Sequence, residues 1–158
     1  MEWMSDLHVF LVKYFLLGGT ISSFLALLEI QIEGKDGWAK NLSTWRLHPK
    51  WFNYFPGANK PLTGYHTFLW LFILTLAHTP LLFSAWSLAN EFLIISFVLF
   101  VLRLGDFLWF VFNPHYGLKK FNKEAIPWHT SWFILLPSQY WISFVFIALF
   151  LYLGIALR

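Results

Sequence analysis

The sequence predicts an all-α fold: a polytopic integral membrane protein built as a bundle of four transmembrane helices, with aromatic-rich cytoplasmic loops. Three observations predict it. Of 158 residues, 58% are hydrophobic and only 12% are charged, against roughly 25% charged in an ordinary soluble domain. The mean hydropathy is +0.59. The apolar residues gather into four long runs, and a spanning helix needs about 20 mainly apolar residues. In lipid every backbone group must be paired within the segment, so helices are the economical reading of runs this few. The length fits one membrane domain over residues 1–158.

The first helix is expected over about 9–32, interrupted by Lys13 and the Gly18-Gly19 pair. The run Val9–Leu28 is too long for the apolar core of a signal peptide. It has no basic flank before it and Glu29 after it, so it reads as a retained span. The second helix is expected over about 65–84 and the third over about 91–112, with Arg103 and Asp106 in its second half. The fourth is expected over about 132–157, with Pro137 near its start.

Two connections are long and one is short. Residues 34–64 carry Lys35, Lys40, Arg46, Lys50 and Lys60, and residues 113–131 carry Lys119, Lys120 and Lys123. An even number of spans puts both on one face. The other face carries Arg158, and Lys13 if that side chain reaches outward. Short loops rich in Lys and Arg stay cytoplasmic. The expected location is therefore a cytoplasmic (inner) membrane, with both termini outside. The long loops hold Trp38, Trp45, Trp51, Phe52, Tyr54, Phe55, Tyr116, Phe121 and Trp128. That aromatic density suits segments lying at headgroup level, and Pro49, Pro56, Pro61 and Pro114 limit helix there.

This topology sets the depth of each polar group. Glu29 and Glu33 end the first helix, four residues apart and so on one face. His66 opens the second helix at the same level. Asp106 follows Glu91 by about 22 Å of helical rise, which returns it to that side. His115 and His129 follow. Charge at membrane depth is costly and faces a cavity, a partner or a ligand. Carboxylates with imidazoles suit zinc, iron or manganese, and bundle helices can hold two such ions. The expected ligand set is Glu29, Glu33, His66, Asp106 and His129, holding one or two divalent metal ions. His129 is preferred to His115 because Pro127, Trp128 and the next helix constrain its backbone. Lys35, Lys40, Arg46, Lys119 and Lys120 are the expected contacts for an anionic lipid headgroup.

Simpler roles stand beside these. Asp106 can pair with Arg103, three residues earlier on the same face. His66 can cap or sit at the interface. A His78–Glu91 hydrogen bond across the short turn is the preferred reading of those two residues. His66 and His78 lie about 18 Å apart along the axis, so they share no metal, and no clear histidine pair at equal depth on facing helices argues for haem. With no cysteine, there is no disulfide and no cysteine-ligated iron–sulfur cluster. No basic run is long enough for nucleic acid.

Sequence motifs narrow the function little. The histidine boxes of membrane desaturases, a Walker loop, His-Glu-x-x-His and Gly-x-Ser-x-Gly are all missing from the sequence. The stretch Glu33 to Lys40 is faintly similar to the motif of CDP-alcohol phosphotransferases. It departs in its first acid, its spacing, its basic residue and its missing second half. The sequence supports a membrane-embedded enzyme acting on a lipid or other apolar substrate at the cytoplasmic interface. The competing reading is a small non-catalytic subunit of a larger membrane complex or homo-oligomer, or a transport component, whose charges are structural or form an ion path.

Overall fold

The structure, a computed structural model, describes residues 2–49, 60–126, 128–129 and 131–158. Lys50, Trp51, Phe52, Tyr54, Phe55, Pro56 and Pro127, singled out above, lie outside the described residues. The chain is mostly helical. Its order is α1 (Glu2–Glu33), β1 (Arg46–Leu47), β2 (Leu62–Thr63), α2 (Gly64–Ala77), a 3-10 turn (Thr79–Leu82), α3 (Leu88–Phe112), a second 3-10 turn (Leu118–Lys120), β3 (Trp132–Phe133), β4 (Leu136–Pro137) and α4 (Ser138–Ala156). All four helical segments are long and apolar enough to cross a membrane, the second when its 3-10 extension to Leu82 is included.

Each boundary has a local cause. Thr63 caps α2 by accepting the His66 amide at 3.2 Å, and Ser87 caps α3 by accepting the Asn90 amide at 3.2 Å. Helix α1 starts at Glu2, earlier than the apolar run implies, because a helix can continue through polar residues beyond the apolar stretch. Helix α2 gives way to the 3-10 turn, with Pro80 in its first turn. The expected start of the fourth helix at residue 132 is corrected. Trp132 pairs with Pro137 and Phe133 with Leu136 in a tight antiparallel hairpin. Ile134 turns it at φ 58°, and α4 begins only at Ser138.

Helix α3 is central, packing on α4 and α1 and less closely on α2. A hydrogen-bond chain ties three helices in mid-bundle. Tyr14 Oη donates to Ser96 Oγ at 2.8 Å, and Ser96 Oγ donates to the Ile147 carbonyl at 2.9 Å. The buried Tyr14 and Ser96 hydroxyls are thus both paired, as an apolar surround demands. Of α2, only Gly64 and His66 are buried, and Phe68, Leu71, Phe72, Leu74 and Leu76 are exposed. Exposed Phe, Leu, Ile and Val cover the other helices too. Such a surface belongs in contact with a lipid bilayer.

At one end, the described parts of both long loops are held by specific contacts. Arg46–Leu47 pairs antiparallel with Leu62–Thr63, which returns the first loop to the start of α2. The second loop folds over the end of α3, where Phe110 meets Tyr116, Phe121 and Trp128 with ring centroids 5.6, 5.2 and 6.2 Å away. At the opposite end, His78 Nε2 lies 3.1 Å from Glu91 Oε1, the pairing expected across that turn, and Trp86 Nε1 donates to Glu91 Oε2 at 3.1 Å.

Candidate functional site

The end of α1, the starts of α2 and α4, the second half of α3 and both long loops enclose one polar cavity of about 270 Å³. Glu29, Glu33, His66, Asp106 and His129 all line it. His115 does not: it is exposed on the second loop. The cavity wall also includes Lys60, Arg103 and Gln139, with Trp38, Trp70, Trp109 and Trp128 between the polar groups.

The polar residues divide into pairs. Glu33 Oε1 lies 3.3 Å from His66 Nε2, with both side chains buried. The same oxygen accepts the Ala39 amide at 2.5 Å. On its other side His66 places Nδ1 2.7 Å from Thr63 Oγ1. That hydroxyl already accepts the His66 amide, so it is available to donate to Nδ1, which leaves the ring proton on Nε2, towards Glu33. One helix cap therefore also sets the orientation of the imidazole.

A sandwich covers this pair. The Trp38 ring stacks on His66 with centroids 4.2 Å apart, and Lys60 Nζ lies 4.0 Å from the Trp38 ring centroid. Trp38 Nε1 donates to the Pro61 carbonyl at 2.9 Å. The strap carrying Trp38 turns through positive φ at Gly37, Trp38 and Ala39, a conformation that costs free energy at non-glycine residues. Arg46 secures it by donating to the carbonyls of Ala39, Lys40 and Leu42. Lys60 is buried, and burial lowers its pKa from 10.5 to about 8.

The second pair faces the first across the cavity. Asp106 Oδ2 accepts the Tyr140 hydroxyl at 2.5 Å and lies 3.5 Å from Arg103 Nη1. Arg103 in turn donates from Nε to Ser143 Oγ at 3.1 Å and stacks on the Tyr140 ring at 4.7 Å. His129 Nε2 is 3.9 Å from Asp106 Oδ2. The Gln139 side-chain amide meets His129 Nδ1. With Gln139 as donor, the imidazole proton sits on Nε2. That atom is buried and has no hydrogen-bond partner among the described residues. Burial, reinforced by Lys60, drives the His129 pKa from 6.5 to about 3, against the opposing pull of Asp106. His129 is thus a neutral imidazole with a donor to offer.

Two further groups are unspent. Trp109 Nε1, in the cavity wall, is buried without a partner among the described residues. Glu29 is buried at 9% exposure and makes no hydrogen bond to a described residue. Buried polar groups are nearly always satisfied, so two donors and one carboxyl without partners among the described residues make this cavity a polar binding site.

No group of three His, Asp or Glu close enough to share a metal ion occurs among the described residues. The expected five-residue ligand set is gathered at one cavity but divided: Glu33 is engaged by His66, Asp106 by Tyr140 and Arg103. The expected headgroup residues line no part of this cavity. Lys40 pairs with Asp36 at 3.4 Å, Lys120 donates to the His115 carbonyl at 2.6 Å, and Arg46 is spent on loop carbonyls. Lys35 and Lys119 are exposed. Among the described residues, the cations that do reach the cavity are Lys60, carried inward beside the β1–β2 pairing, and Arg103.

Tyr140, Gln139 and Lys60 were not singled out from the sequence. Tyr140 and Gln139 follow Pro137 at the start of α4, the same depth as Asp106, and that was the available signal. No family model, curated protein or solved structure matches the chain.

Proposed function

We propose that the four helices span the bilayer and that the polar cavity is an acid–base active site at one membrane interface, acting on a lipid or other apolar substrate. The observation that carries this reading is two histidine–carboxylate neighbours in the wall of one cavity, the buried Glu33–His66 pair at 3.3 Å and the buried His129 at 3.9 Å from the part-exposed Asp106. Thr63 and Gln139 hold the two imidazoles from their Nδ1 sides and leave each Nε2 turned towards a carboxylate, an arrangement suited to proton transfer. His129 offers an N–H donor to a developing charge, and Lys60 and Arg103 supply positive charge beside it. Glu29, free of protein partners among the described residues, is the group best suited to take or give a proton.

The eight Lys and Arg residues in the two long segments support placing this end in the cytoplasm and both termini outside. Exposed Lys35, Lys40, Lys119 and Lys120 would then meet anionic headgroups around the site. One or two zinc, iron or manganese ions would fit this reading only if the paired side chains turned towards a common centre. A second reading, a proton or ion path, is favoured by one observation: Glu29 is a buried carboxyl facing a cavity in an apolar helix.

Purified protein in nanodiscs made with a total lipid extract tests the proposal. Mass spectrometry should find a lipid that the wild type converts and His66→Gln does not. An unchanged lipid profile together with proton flux in liposomes would replace the enzyme by the ion path. Elemental analysis of the same sample reads metal content directly.

A further inference from the structure

A second cavity, of about 610 Å³, opens between α1, α2 and α3 at the end away from the polar site. Its walls are apolar: Leu17 and Ile21 from α1, Ile73 from α2, and Ile94 and Phe97 from α3. The volume is within the roughly 300–1,000 Å³ typical of ligand sites. Two cations line it, Lys13 and Arg158, and no Asp or Glu does among the described residues. Tyr14, also in the wall, has its hydroxyl committed to Ser96.

The depth of the two cations is the informative point. Lys13 precedes Glu33 by about 30 Å of helical rise, and Arg158 lies about the same rise beyond Ser138. That distance is about the thickness of the hydrocarbon core. Both cations therefore stand at the headgroup level opposite the polar cavity, on the side otherwise poor in basic residues. The guanidinium of Arg158 lies 4.9 Å from the Phe10 ring centroid, and Phe10 is three residues from Lys13 on the same face of α1. Nothing in the acid–base chemistry uses either residue.

We infer that this cleft binds one anionic phospholipid, with an acyl chain along Leu17, Ile21, Ile94 and Phe97 and its phosphate between Lys13 and Arg158. The apolar cleft, open between helices in the membrane, accommodates a chain. The two basic side chains at its mouth, with no Asp or Glu lining it among the described residues, select the sign of the headgroup. The site stands apart from the proposed active site and does not depend on its chemistry.

Native mass spectrometry of the full chain, titrated with phosphatidylglycerol or phosphatidylcholine of identical acyl chains, tests the inference. The wild type should retain one phosphatidylglycerol roughly thirtyfold more tightly than phosphatidylcholine, the preference expected for two basic groups near a membrane surface. The double variant Lys13→Gln/Arg158→Gln, altered only at exposed positions, should bind both lipids alike. Ile94→Trp, which fills the cleft, should weaken both. If Ile94→Trp does not fold, the charge variant alone decides. Equal binding of the two lipids by wild type would overturn the inference. So would a preference that survives the double variant, or one lost instead in Lys119→Gln/Lys120→Gln.

Discussion

Tyr140, in the first turn of α4, donates its hydroxyl to Asp106 on α3 at 2.5 Å. This bond joins the two most closely packed helices at the polar cavity. It also occupies the oxygen that would otherwise be most available to His129. Its removal has two consequences. Tyr140→Phe keeps the ring and its packing but leaves Asp106 under-solvated, which should cost about 1–3 kcal/mol. Thermal unfolding in detergent should show this loss, and Asp106→Asn combined with Tyr140→Phe should lose less than the sum of the two single variants.

Close helix packing gives a second expectation. A Cβ added at Gly154 would lie 2.6 Å from Leu93 Cγ and 3.0 Å from the Ala89 carbonyl oxygen. At Gly19 it would meet nothing within 4 Å. Gly154→Ala should therefore push α4 off α3 and cost about 1–3 kcal/mol. Gly19→Ala should be neutral or gain up to about 1 kcal/mol from helix propensity. Unfolding in graded SDS distinguishes the two.

His129 predicts the pH response. Its pKa falls from 6.5 to about 3 on folding because burial disfavours the cation. The unfolded chain therefore binds the proton more readily than the folded one between these values. Stability from this group is whole above about 6.5 and is lost progressively as pH falls towards 3. The unfolding temperature of the wild type should drop between pH 6.5 and pH 5, before ordinary carboxylates titrate. His129→Gln should flatten that part of the curve. An equal slope in both proteins would place the titrating group elsewhere.

Orientation is testable by labelling. A cysteine introduced at Lys120 should resist an impermeant thiol reagent in intact cells, and one at Ser87 should react. The chain has no native cysteine to interfere. The reverse pattern would turn the molecule over and put the polar cavity on the outer face.

The apolar helices were legible because hydropathy and length alone identify them, and so was the common depth of Glu29, Glu33, His66 and Asp106, which follows from helical rise and an even span count. The hairpin at residues 132–137 was not. Trp132 to Leu136 is an unbroken apolar run that reads equally as helix or strand, and only the turn at Ile134 and Pro137 before α4 decide it. The pairing inside the cavity was not legible either, since depth is readable from sequence but the facing of each helix is not. Lys60 looked like one more loop lysine until the β1–β2 pairing and the Trp38 stack carried it inward. Tyr140 looked like an interfacial aromatic until α4 set its hydroxyl against Asp106.

Glu29 separates a working site from a structural cluster of charges. It has no hydrogen-bonding partner among the described residues, so Glu29→Gln should leave the fold and its unfolding temperature close to wild type. The decisive measurement compares lipid extracts by mass spectrometry from cells producing, at matched levels, wild type, Glu29→Gln or neither. The acid–base account predicts a lipid species that wild type changes and that returns in Glu29→Gln to the level of cells producing neither. A variant that changes the same species as wild type does, or a wild type indistinguishable from cells without the protein, would contradict it.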